Sequence, residues 1–124
     1  MRKIDVVLGW LLIAFGAVHT SLTRKFDPNV GMNGIWFACG GLLMIMIGAL
    51  NVLRVAYTSV AKGVYVVSVI ANVVLVLLMV FIATRAPMQS NPQVLVGLIL
   101  AVGLTGVSVF RRGGRQPRQV GIGK

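Results

Sequence analysis

The sequence has few of the residues on which enzymes and disulfide-bonded proteins depend. Its 124 residues include two acidic residues, one histidine and one cysteine. The lone Cys39 excludes a disulfide within the chain and a multi-cysteine metal site. The two carboxylates, Asp5 and Asp27, fall on opposite sides of a membrane in the topology derived below, so they cannot act as an acid–base pair. We therefore expect no enzymatic activity, no metal site and no cofactor.

Charged residues are scarce as a class. Hydrophobic residues make up 57% of the chain and charged residues 11%, and the mean hydropathy is +0.92. This composition excludes an ordinary soluble domain. The net charge of +10 comes from lysines and arginines that flank apolar runs, as in the loops of membrane proteins. We interpret these charges as contacts with anionic lipid headgroups and not with nucleic acid.

Long uncharged runs make up most of the sequence. They predict an all-α integral membrane protein, because about 20 apolar residues cross a bilayer as a helix. Four spans are predicted, at about residues 5–23, 33–53, 63–84 and 92–110. They form one transmembrane domain, residues 1–112, followed by a flexible basic tail, residues 113–124. We interpret the first run as a span and not a signal peptide, because Asp5 interrupts its basic start and no A-x-A cleavage site follows.

The basic residues also predict an orientation. Nine of the twelve lie at the two termini and in the second connection, and three lie in the other connections. Cytoplasmic loops carry the excess of lysine and arginine. Both termini are therefore expected in the cytoplasm, with successive spans antiparallel and the protein in a bacterial cytoplasmic (inner) membrane.

Small and polar residues recur at heptad spacing along each span. In lipid, helices associate through close approach over small residues. The pattern predicts a left-handed four-helix bundle with these residues inside. The predicted packing residues are Gly9, Gly16, Gly34, Gly41, Gly48, Gly97 and Ala101. A ladder of Gly97, Ala101 and Thr105 has two interpretations, contact within the chain or a surface that pairs two copies.

The predicted intramembrane polar residues are Asn51, Ser68 and Asn72. An amide without a partner in hydrocarbon costs several kcal/mol, so Asn72 must face the bundle. The structural interpretation is a hydrogen bond between helices. The functional interpretation is contact with a substrate or an ion.

The single histidine, His19, lies near the outer end of the first span. An ionisable residue at this depth is a candidate functional site. We predict a small outward-facing polar pocket, with Asp27 or Arg85 as the charge partner of His19. The predicted pocket residues are His19, Thr23, Asp27, Asn33, Trp36 and Arg85. The alternative is a neutral His19 that bonds a carbonyl or hydroxyl group and holds the first loop.

These features favour a structural or accessory protein, a helical bundle that self-associates or joins a larger membrane protein. The main alternative is a carrier that binds a small molecule or lipid near His19. A second alternative is a redox accessory subunit, although one histidine would leave haem in need of a methionine, a second copy or an open position.

Overall fold

The computed structural model describes residues 2–57, 62–85 and 92–110, which contain helices and no strand. The helices are α1 (Arg2–Ser21), α2 (Thr23–Phe26), α3 (Met32–Tyr57), α4 (Lys62–Arg85) and α5 (Pro92–Phe110). All except the short α2 are long and apolar enough to cross a membrane, which confirms the predicted all-helical protein with four spans. Residues 58–61 and 86–91, within the second and third predicted connections, and residues 111–124, which include the basic tail, lie outside the described residues.

Three helices extend beyond the uncharged runs, and one of them is α4, which includes Lys62 and Arg85 at its ends. The helix α1 begins at Arg2 and α3 continues past Arg54 to Tyr57. A span inferred from composition ends near the first charge, whereas the backbone hydrogen bonds of a helix can continue past that charge beyond the hydrocarbon layer. At 1.5 Å per residue, α3 is about 39 Å long. Arg54 therefore belongs to the helix and not to a loop.

The connection between α1 and α3 is a turn of helix, α2, followed by a short turn. The carboxylate of Asp27 accepts a hydrogen bond from the backbone N–H of Gly34, at 2.9 Å, in the first turn of α3. A carboxylate at this position satisfies one of the free donors of a helix N-terminus. Val30 has a φ of 48°, the left-handed conformation that β-branched residues rarely adopt.

Each long helix packs mainly against two others. The helix α1 packs against α3 and α5, and α4 packs against α5 and α3. The buried apolar core contains Leu12, Met44, Ile47, Leu75, Met79, Ala101 and Leu104. Large apolar side chains also cover the outward faces, among them Leu42, Leu77 and Ile99. Such surfaces are typical of helices surrounded by lipid.

The pair α1 and α3 makes the closest approach. A Cβ built at Gly16 would lie 2.6 Å from the carbonyl oxygen of Gly41, and one at Gly48 would lie 2.7 Å from that of Gly9. Real Cβ atoms do not come so close to a backbone oxygen. These positions therefore require glycine for the two backbones to touch.

All of the predicted packing residues are buried: Gly9, Gly16, Gly34, Gly41, Gly48, Gly97 and Ala101. Gly97 faces Met79 and Phe15 of the same chain. The Gly97–Ala101 part of the ladder is thus occupied by contacts within the chain, and its Thr105 is partly buried.

Candidate functional site

His19 lies in the last turn of α1, within a group of aromatic side chains. Its ring stacks on Phe37, with a centroid distance of 3.8 Å and an interplanar angle of 18°. The Phe15 ring is tilted relative to His19, with a centroid distance of 6.3 Å. The Phe26 ring packs on Phe37, with a centroid distance of 5.0 Å. The histidine is part-buried. Its ring is thus fixed in orientation by neighbouring rings.

A cavity of about 220 Å³, here called the His19 cavity, lies beside this ring and is bounded by residues of all four long helices. Its wall is mainly apolar and includes Phe37, Met44 and Met79. The polar side chains on it include His19 and Gln93. A mainly apolar cavity with a few polar groups is the usual form of a small-molecule site.

The predicted outer pocket is brought together in part. His19 and Trp36 line the cavity, but Thr23, Asp27, Asn33 and Arg85 are not among its lining residues. Thr23 is buried and its hydroxyl donates to the carbonyl of Thr20 at 2.7 Å. Asn33 is exposed, and the Arg85 guanidinium lies 5.3 Å from the centre of the Phe81 ring. Residues at the same membrane depth can point in different directions around their helices, and the sequence gives depth better than direction.

Most of the lining residues were absent from the predicted pocket, and Gln93 and Gly40 are the two that bear most on the chemistry of His19. Gln93 is a polar residue in the first turn of α5, and Gly40 adjoins Gly41 of the packing stripe. A Cβ at Gly40 would lie 3.7 Å from Nε2 of His19. The pair of adjacent glycines, Gly40 and Gly41, is a signal in the sequence that could have indicated Gly40. Gly41 is needed for the contact with α1, so a second glycine beside it calls for a separate explanation.

A second polar group, here called the amide cluster, lies nearer the other end of the bundle. It consists of Asn51, Ser68, Asn72 and Ser108, all fully buried. The amides of Asn51 and Asn72 bond reciprocally, at 2.7 and 2.9 Å, and Asn72 also donates to the hydroxyl of Ser108 at 3.1 Å. Ser68 donates to the Asn51 carbonyl oxygen at 3.4 Å. The cluster joins α3, α4 and α5.

One turn beyond the amide cluster is a buried ion pair. The guanidinium of Arg54 bonds to the carboxylate of Asp5, and the two side chains are 1% and 0% exposed. The Arg54 guanidinium also lies 6.0 Å from the centre of the Tyr65 ring, and the Tyr65 hydroxyl donates to the carbonyl of Ser108 at 3.1 Å. The pair links α1 to α3, and Tyr65 connects it to α4 and α5.

Sequence reasoning treated Asp5 and Arg54 as boundary charges and missed their pairing. A signal was present, because Asp5 continues the stripe of Gly9 and Leu12 toward the start of α1. Arg54 lies three residues after Asn51 and seven after Ile47, both of which are buried. Charges at these positions face the partner helix and not solvent.

Comparison with known proteins gives no match to a protein-family model, to a curated protein or to a solved structure. Within the described ranges, no group of three or more His, Cys, Asp or Glu residues is placed to hold a metal ion. The polar side chains of the bundle thus fall into two sets. Those of the amide cluster and the ion pair bond helices to one another, whereas His19 lies beside a cavity.

Proposed function

We propose that the chain is a structural or accessory membrane protein without catalytic chemistry of its own. The observation that carries this proposal is the bonding of the buried polar side chains to one another across helix interfaces. Asp5 with Arg54, and Asn51 with Asn72, connect different helices. A rigid, self-contained bundle of this kind suits a scaffold that associates with a second copy or with a larger membrane protein.

The proposed arrangement is an antiparallel, left-handed bundle with both termini in the cytoplasm of a bacterial inner membrane. Two observations support it. Glycines meet in reverse chain order, Gly9 with Gly48 and Gly16 with Gly41. With Arg54 neutralised by Asp5, the basic residues still number eight against three in favour of the cytoplasmic side.

The orientation can be tested with cysteines in a Cys39→Ser background. We would place Cys at Lys3, near the N-terminus, or at Asn29, in the α2–α3 connection; both positions are exposed. A membrane-impermeant maleimide applied to intact bacterial spheroplasts should label Asn29→Cys, and Lys3→Cys only after the cells are opened. The reverse pattern would contradict the orientation and leave the bundle itself unaffected.

The accessory function predicts an associated protein. Purification of the tagged full chain in a mild detergent, followed by native mass spectrometry, should yield a stoichiometric partner or a defined homo-oligomer. Crosslinking in the membrane before extraction controls for association caused by detergent. A monomer in both experiments would overturn the proposal.

A second candidate function is the binding of a small molecule or lipid beside His19, as in a carrier. The specific observation that favours it is the His19 cavity of about 220 Å³. Replacement of His19 by alanine should change ligand retention while the helical content and the unfolding midpoint stay close to wild type. If the same substitution abolishes folding, the role of His19 is structural.

A further inference from the structure

We propose that the His19 cavity binds a membrane-soluble phenol, with the aromatic ring among apolar side chains and the hydroxyl group at His19. This inference rests on the second function proposed above and names its ligand class. The size of the cavity, the chemistry of its wall and the position of His19 support this ligand class.

The size fits one ring. The cavity has a volume of about 220 Å³. Sites that enclose whole drug-sized ligands are larger, about 300 to 1,000 Å³. An engineered apolar cavity of about 150 Å³ is large enough to bind benzene. A benzene ring with a hydroxyl group and a short alkyl substituent lies between these limits.

The wall suits an aromatic body. The rings of Trp36 and Phe37 border the cavity, and the methionines Met44 and Met79 contribute to the same wall. Aromatic rings pack favourably on other rings in offset or edge-to-face arrangements. Thioether sulfurs also make favourable contacts with ring edges. An aromatic ligand therefore gains contacts that a saturated chain of similar volume does not.

The polar group of the ligand is indicated by His19. Its ring is held against Phe37, so it cannot turn away from the cavity without losing that stack. The imidazole is hydrogen-bonded to the backbone of Phe37, which engages one ring nitrogen and leaves the other for a ligand hydroxyl. A hydroxyl in an apolar site costs free energy unless it has such a partner. A site of this type discriminates between a ligand with a hydroxyl group and one without it.

Gly40 keeps the space beside Nε2 of His19 open. A Cβ there would make an ordinary contact at 3.7 Å, whereas a longer side chain would extend into the cavity. Gly40→Leu is therefore expected to fill the space without a backbone clash. Gly106→Leu is the matched control, because a Cβ at Gly106 has no neighbour within 4 Å.

The test uses the full chain in lipid nanodiscs. Trp10→Phe leaves Trp36 as the one tryptophan, since the chain has two. We would titrate 4-propylphenol and propylbenzene, which differ by the hydroxyl group, and subtract the change seen with each in protein-free discs. We expect saturable Trp36 fluorescence changes with both compounds and about fivefold tighter binding of the phenol, the size expected for one net hydrogen bond.

The variants separate the two levels of the proposal. In the Trp10→Phe background, His19→Leu should bind both compounds equally, Gly40→Leu should bind neither and Gly106→Leu should behave as the parent. If neither compound saturates on the parent protein, the second function fails. If both bind but without a preference, or if His19→Leu retains the preference, the phenol assignment fails while binding in the cavity stands.

Discussion

At one end of the bundle, polar side chains from all four long helices bond to one another, whereas at the other end the histidine borders a cavity. The ion pair of Asp5 and Arg54 and the amides of Asn51 and Asn72 are fully or almost fully buried. His19 is part-buried and packs on an aromatic ring. Polar groups bonded across helices hold the packing in place, but a polar group beside a space can meet a ligand.

The ion pair should be the most sensitive point. Asp5→Ala leaves Arg54 buried without its carboxylate, so we expect a loss of about 3 to 5 kcal/mol in the free energy of unfolding. The measurement is unfolding by SDS in mixed micelles. The control is the double variant Asp5→Leu, Arg54→Leu, which removes both charges and should lose much less than Asp5→Ala. An equal loss in the two variants would mean that side-chain shape matters here and not charge.

The glycine contact of α1 and α3 comes next. Gly48→Ala places a Cβ 2.7 Å from the carbonyl oxygen of Gly9, so the helices must separate. We expect a loss of about 1 to 3 kcal/mol, the usual cost of overpacking. Gly106→Ala, where a Cβ meets nothing within 4 Å, should be neutral or stabilise the protein by up to about 1 kcal/mol, because alanine is the better helix former. A loss of similar size at both positions would show that the cost at Gly48 does not come from its close contact with Gly9.

The amide cluster allows a direct comparison of the two ends. Asn72→Leu removes the partner of Asn51 and of Ser108. We expect a loss of about 1 to 2 kcal/mol in the same unfolding measurement, because buried partners are left unsatisfied. His19→Leu at the other end should cost less than half as much. If His19→Leu proves the more damaging of the two, the histidine is a structural residue and the contrast between the ends disappears.

The smallest expected effect lies in the turn at the His19 end. Val30 has a positive φ of 48°, which glycine adopts without strain. Val30→Gly should therefore raise the free energy of unfolding by about 0.5 to 1 kcal/mol, the relief of strain being partly offset by backbone entropy. Its neighbour Asn29 has no positive φ. Asn29→Gly should give no gain, and an equal gain there would show that the turn is not strained at Val30.

Much of the helix packing could be read from the sequence. Heptad spacing of Gly9, Gly16, Gly41 and Gly48 identified the faces on which α1 and α3 touch. Composition is informative here because lipid gives no advantage to apolar contact, so small residues mark interfaces. The polar Asn72 could likewise be assigned to the interior, because hydrocarbon offers an amide no partner.

The candidate site was less predictable. His19 and Trp36 both line the cavity, but Asp27 and Arg85 contact other groups. Sequence gives the depth of each residue in its span, and the direction of a side chain depends on how the helix is rotated against its neighbours. The position of the cavity depends on the same rotation, so it could not be derived from spacing.

By itself, the sequence determined that the protein is helical and membrane-spanning and that its glycines mark contacts, because backbone hydrogen bonding and side-chain size act along one helix. The tertiary structure decided which charges pair and where space remains. Asp5 and Arg54 are far apart in the chain. Each is a charged residue near the end of an apolar run, and only the packing of α1 against α3 shows that the two pair. Their pairing and the His19 cavity are properties of several helices together, and no single span contains the information for either.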